Sequence, residues 1–323
     1  CTVHPTRVVT SAAIAPAVAG SAQGVNGATL TSFTGNVTIA LGSSPAGAVL
    51  AGTTTAAAVA GVARFSDLRI DRSGAGYTLV ATTSGLAPVT SSSFVVTVGP
   101  AAKLALTTAP STTAQIGVPL SPQPVVRIQD AAGNNVSQGG TVITAAIAAG
   151  GGTLGGTLTR NTDPSGVASF TSLTITGAVG TRTLRFTSPG LTSVTSSTIN
   201  LTAGPARTLN VNAGNDQSAV AGTAVAIAPS VIVRDTSGNP VSGVPVTFVA
   251  PGTANGSVTG ESQTTNPAGI AQIGGWTPGA IGGTDSLPVT SAAVDGGPGY
   301  FTAHVTPAPA PTQPQISGDK LTR

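Results

Sequence analysis

Residues 126–136 read VRIQDAAGNNV, and residues 231–241 read VIVRDTSGNPV. In the first stretch Val126, Ile128 and Asp130 alternate with Val125, Arg127 and Gln129. A period of two places one set on each face of a β-strand. Asp130-Ala-Ala-Gly133-Asn134 then supplies a turn, because Asp bonds to following backbone amides and Gly or Asn accepts positive φ. The second stretch repeats this with Asp235, Gly238 and Asn239 at an offset of 105 residues.

The offset recurs elsewhere. Gly99-Pro100 and Gly204-Pro205 stand 105 residues apart, and a third block reads AGVARF at 60–65, PSGVASF at 164–170 and PAGIAQI at 267–273, with Gly61 and Gly166 again 105 apart and Gly269 103 beyond Gly166. Such self-similarity implies tandem copies of one unit. Its boundaries are expected at 1–98, 99–203 and 204–307, followed by a Pro-rich tail at 308–323, and each copy has the length of a β-sandwich. Connectors as short as Val98-Gly99-Pro100 imply little freedom between neighbours. The first copy departs from the pattern, because only Gly24-Val25-Asn26-Gly27 lies near the place of the Asp turn.

Further strands follow from the same alternation. Val37, Ile39 and Leu41 share a face, as do Leu79 with Ala81, Leu184 with Phe186, Val244 with Val246 and Phe248, Phe94 with Val96, and Phe301 with Ala303 and Val305. The opposite faces carry mainly Thr and Ser. Composition agrees: of 323 residues 43 are Gly and 24 Pro, which disfavours helices, and 40% are hydrophobic, which disfavours disorder. Aromatic residues make up only 3%, so the cores are expected to be aliphatic, with Trp276 the single large anchor of the third copy. The fold class is therefore all-β, as tandem immunoglobulin-like sandwiches.

These motifs resemble bacterial immunoglobulin-like repeats of the invasin/intimin type, with a strand, a D-x-x-G-N turn, a second strand, and a G-[VI]-A-x-[FI] strand after another turn. The resemblance covers nearly all of residues 30–307. It implies the fold, and a role as stalk or surface scaffold; nothing resembles the lectin-like tip of large adhesins, so receptor binding is not implied.

Enzymatic chemistry finds no footing. His4 and His304 lie in different copies without ligand-spaced partners, no G-x-S-x-G elbow occurs, and the acidic residues are scattered. Asp130 and Asp235 recur at a turn but lack the flanking acids of a calcium loop, so they read as turns that cap their own backbone. GGGTLGG at 150–156 lacks the Lys and helix of a phosphate loop and reads as a hairpin loop. No enzyme activity and no cofactor are expected. With 7% charged residues and no basic stripe, nucleic acid is not an expected partner.

The ends carry the remaining candidates. Cys1 is the single cysteine, and the chain resembles a mature bacterial lipoprotein whose Cys1 carries the lipid, with Thr2–Thr6 as tether. Residues 307–314 read PAPAPTQP, which favours an extended polyproline-II segment. Pro307, Pro309, Pro311 and Pro314, with Asp319, Lys320 and Arg323, are the candidate partner-binding residues, alongside the Thr/Ser-rich strand faces. The first functional reading is a membrane-anchored, extracytoplasmic accessory subunit. It would pack on the outward face of a large membrane complex, such as a respiratory or photosynthetic one, with membrane lipid and integral membrane subunits as partners. The alternative is a cell-surface adhesin or stalk that binds a polymer or a host ligand.

Overall fold

The computed structural model describes residue 5 and residues 7–249, 256–279, 281–294 and 299–310. Every regular element among them is a β-strand. Their hydrogen-bonded pairs fall into three sets, within residues 7–97, 103–202 and 208–306. The chain forms two compact units. The first comprises residues 1–112, 119–173 and 182–199, and the second 113–118, 174–181 and 200–323, so the second repeat contributes to both.

The third repeat, in the second unit, shows the architecture best. Strand Thr208–Ala213 pairs with Ser230–Arg234, which pairs with Ile270–Gln272. The facing sheet runs Gln217–Val220, Gly299–Thr306, Gly283–Thr290, Pro245–Phe248, Ser262–Thr264. Gln217–Val220 is parallel to Gly299–Thr306, so the first strand of the repeat is split between the two sheets, as in immunoglobulin-like sandwiches. Between the sheets lie Val231, Val233, Val246, Leu287 and Val289. Trp276 is fully buried, but it is not the sole anchor: Phe248 and Phe301 are equally buried, with ring centroids 6.0 Å apart. Each such side chain contributes roughly 1.5–3 kcal/mol by leaving water.

In the first unit, Val125–Gln129 lies between Lys103–Thr108 and Val167–Ser169, and Val142–Ala149 pairs with Thr159–Asn161. Val126, Ile128 and Asp130 are buried, as the alternation requires. In the first repeat Asn36–Leu41 lies between Thr55–Ala57 and Leu79–Thr83, and Arg7–Val9 runs parallel to Phe94–Thr97. The stretch at 150–156 is not wholly loop, since Thr153–Gly155 is a short strand.

The glycine of the third sequence block has a steric reason. Gly166 has φ +80°, and a Cβ there would stand 1.9 Å from the Val136 carbonyl oxygen, so no other residue fits beside that strand.

Gly24–Ala28 of the first repeat does form the turn. Gly24 N–H donates to Ala28 O at 2.9 Å and Gly27 N–H to Gly24 O at 2.9 Å. Asp130 N–H to Asn134 O at 2.9 Å and Gly133 N–H to Asp130 O at 3.1 Å are the same bonds. Gly24 thus stands in the place of Asp130, and Ala28 in that of Asn134.

Candidate functional site: the carboxylate turns

The Asp130 side chain is 1% exposed, and four partners surround its carboxylate. Oδ1 accepts from Asn134 N–H at 2.8 Å and from Asn134 Nδ2 at 3.1 Å, which closes the turn. Oδ2 accepts from Thr10 Oγ1 at 2.5 Å and from Gly99 N–H at 3.1 Å. Thr10 belongs to the first repeat and Gly99 to the connector. Asn134 reaches the same way: its Nδ2 donates to Asp71 O at 2.7 Å, and its Oδ1 accepts from Ser73 N–H at 3.1 Å. The loop that it grips is braced from behind, because the buried Tyr77 donates its hydroxyl to Arg72 O at 2.8 Å. A turn expected only to cap its own backbone also joins two repeats.

The second unit rebuilds this joint. Asp235, 3% exposed, accepts at Oδ1 from Ser237 N–H at 2.8 Å and Asn239 N–H at 2.9 Å, and at Oδ2 from Gly204 N–H at 2.8 Å. Asn239 Nδ2 donates to Gly177 O at 2.9 Å, and its Oδ1 accepts from Val179 N–H at 3.1 Å. One partner differs. Thr10 N–H donates to Thr97 O, and Ile116 N–H donates to Thr202 O, so Ile116 occupies the place of Thr10 and brings no hydroxyl.

Burial alone would raise both carboxyl groups. For Asp130 the bonds from Thr10, Asn134 and Gly99 outweigh it, and for Asp235 those from Asn239, Gly204 and Ser237 do, so both are held below the ordinary Asp value. Both oxygens of each carboxylate face N–H or O–H donors. Those positive ends would repel a cation, so this geometry is a filled joint rather than a calcium site. Among the described residues no group of three or more His, Cys, Asp or Glu side chains converges on a common point.

The Thr/Ser faces prove regular. Thr38 sits between Thr55 and Thr82, Thr144 between Thr159 and Thr187, and Thr247 between Ser262 and Thr290. All nine are exposed, giving one cross-strand hydroxyl row per repeat, a pairing that also stabilises the sheet. Pro307 and Pro309 are exposed beyond the last strand. Cys1, Pro311, Pro314, Asp319, Lys320 and Arg323 lie outside the described residues. His304 pairs through Nε2 with Asp216 Oδ1 at 2.8 Å on the surface.

No protein-family model matches the chain, and no curated protein matches it. Among solved structures, the adhesin FdeC of Escherichia coli is 17% identical over 94% of this chain and 95% of that one, with a TM-score of 0.44. The adhesin InvE of Yersinia pseudotuberculosis is 23% identical over 62% of this chain and 58% of that one, with a TM-score of 0.27. The I67–I69 fragment of titin is 9% identical over 94% and 96%, with a TM-score of 0.35. At these levels the likenesses carry nothing about activity or ligand.

Proposed function

We propose that this chain is a non-catalytic, extracytoplasmic repeat protein of the surface adhesin or stalk type. The observation that carries the reading is the joint built twice from Asp, Asn and Gly at matched positions. Buried charge is costly unless fully bonded, and here it is spent on fixing one repeat against the next. That investment suits a chain whose task is to hold a surface at a set place. The exposed hydroxyl rows offer such a surface, since Thr presents a methyl group for contact and a hydroxyl for hydrogen bonding. Attachment through a lipid on Cys1, and docking of the segment from Pro307 to Arg323, belong to the same proposal.

Between the two readings from sequence, the joints favour the stalk over the accessory subunit, because a subunit laid on a large complex can take its shape from the complex. The test is protease shaving of intact cells that make the protein, with detergent extraction in parallel. Release of fragments from intact cells, without stoichiometric copurification of integral membrane subunits, is expected. Protection from protease together with stoichiometric copurification would overturn the reading. Intact mass of the native protein tests the lipid: an unmodified Cys1 would remove that part.

A further inference from the structure

One strand pairing recurs in all three repeats. Arg7–Val9 runs parallel to Phe94–Thr97, with Arg7, Val8 and Val9 opposite Val95, Val96 and Thr97. Thr113–Gln115 runs parallel to Ile199–Thr202, with Thr113 opposite Asn200 and Gln115 opposite Thr202. Gln217–Val220 runs parallel to Gly299–Thr306, with Gln217 opposite Ala303 and Val220 opposite Thr306. Each pair thus joins a strand from the start of a repeat to the last strand of that repeat.

Each pair also ends in the same bonds. Thr97 Oγ1 donates to Val8 O at 3.1 Å, Thr202 Oγ1 to Ala114 O at 3.4 Å, and Thr306 Oγ1 to Ala219 O at 3.3 Å. Thr10, Ile116 and Ala221 then donate N–H to the carbonyls of Thr97, Thr202 and Thr306 at 2.9, 3.0 and 2.8 Å. Val or Ile would suit such a strand as well as Thr. Only Thr brings the hydroxyl that crosses to the partner strand. Thr97 and Thr202 stand 105 residues apart and Thr306 104 beyond, so the position belongs to the repeat. In the first repeat Gly99 N–H donates to Thr10 Oγ1 at 2.8 Å, which ties the two strands once more where the chain leaves.

The parallel direction has a mechanical consequence. Tension along the chain reaches the early strand at its N-terminal end and the last strand at its C-terminal end. In a parallel pair those two points lie at opposite ends of the pair. The strands must then slide past each other lengthwise, and the evenly spaced, slanted bonds between them bear the load together. An antiparallel pair pulled apart at two opposite residues opens instead one bond at a time.

We propose that these parallel pairs are load-bearing elements, and that the chain has the further function of carrying tension between its attachment and whatever it holds. The inference rests on the stalk reading, since a subunit seated on a complex has no tension to carry. The recurring threonine hydroxyl is the side-chain part of the device.

The test is unfolding at constant force in an optical trap. Residues 1–323 are held by Cys1, the single cysteine, and by Arg323→Cys. Each repeat should unfold in one step of roughly 200–300 Å, and the presence of all three steps shows that a variant has folded. Two variants of the first repeat remove similar bonds. Thr97→Val deletes the hydroxyl across the parallel pair, and Thr83→Val deletes the one that donates to Asn36 O at 2.7 Å across an antiparallel pair. Both should destabilise modestly in urea. Under force, Thr97→Val should speed one step by about two- to tenfold, whereas Thr83→Val should change no step by more than about twofold. A second arm moves the handles to Thr284→Cys and His304→Cys, opposite residues of an antiparallel pair, in a Cys1→Ser background. The third repeat should then open at a lower force than any step of the end-held chain. Equal acceleration by the two Thr→Val variants, none by Thr97→Val, or an equal or higher force in the second arm overturns the proposal. If these results fail while protease shaving of intact cells still releases fragments, the chain is a stalk that bears no load.

Discussion

The two joints should respond unequally to loss of their carboxylates, and the structure says by how much. Asp235→Ala removes the acceptor of the buried Gly204 and Asn239 amides. A buried donor left without an acceptor costs about 1–3 kcal/mol, so the variant should lose about 2–6 kcal/mol. That is a large share of the 5–15 kcal/mol by which domains are ordinarily stable, roughly speaking. At the connector glycine Asp130→Ala is milder, because Gly99 N–H also lies 2.8 Å from Thr10 Oγ1 and keeps that acceptor, although the Thr10 hydroxyl loses its own. Gly204 has no such hydroxyl beside it, since Ile116 replaces Thr10. The difference is one orphaned buried amide, about 1–3 kcal/mol, or roughly 5–150-fold in local opening. Hydrogen exchange at Gly99 and Gly204 in the two variants measures it directly, and Trp276 fluorescence in urea reports global loss in the second unit. Adding Thr10→Val to Asp130→Ala should bring Gly99 to the behaviour of Gly204. Equal acceleration at both glycines in the single variants, or a larger effect of Asp130→Ala, would refute the reasoning.

Acid should weaken both joints. Folding holds the Asp130 and Asp235 carboxyls below their ordinary value, so their stabilisation is complete above the unfolded pKa of about 3.9 and is lost as pH falls through that value toward the lower folded one. Urea unfolding between pH 6 and pH 2 should show this slope in the wild-type chain and a shallower one in the double Asp→Asn variant. A chelator should leave the thermal midpoint unchanged, because the joint is filled by N–H and O–H donors; a drop on chelation, restored by calcium, would mean that the joints hold metal. Gly204→Ala should destabilise more than Gly99→Ala, since the new Cβ would stand 2.6 Å from the Ile116 carbonyl oxygen in one and 3.1 Å from Thr10 Oγ1 in the other. Overpacking of the first kind costs roughly 1–3 kcal/mol, measurable by urea titration.

The strands were legible in the sequence because burial follows the period of two. Val126 and Ile128, Val246 and Phe248, and Phe301 and Ala303 are all buried as the alternation requires. The joint was less legible. Asp130 and Asp235 stood out as turn residues, but a turn motif states only local bonds, whereas Asn134 and Asn239 act on loops 63 and 62 residues away. One signal pointed further. Gly99 precedes Asp130, and Gly204 precedes Asp235, by the same 31 residues. A glycine held at fixed distance from a turn Asp marks close backbone approach, and that is the contact observed. Nothing in the pattern distinguished Thr10 from other threonines, because its role depends on a fold that brings the start of one repeat to the turn of the next.

The first repeat separates the two roles that the turn combines elsewhere. Gly24–Ala28 keeps the backbone bonds of the turn, reinforced by Ala28 N–H donating to Asn26 Oδ1 at 3.1 Å. Local geometry therefore does not need Asp at the first position or Asn at the fifth. Where those residues are present, in the second and third repeats, each reaches out of its own repeat. Where Gly and Ala stand instead, the turn closes with no carboxylate at its first position and no side-chain amide at its fifth. Selection for the turn alone would leave either pair acceptable, so Asp with Asn in two repeats is explained by the joint. The chain thus carries its own control: one repeat with the turn and without the grip, two with both.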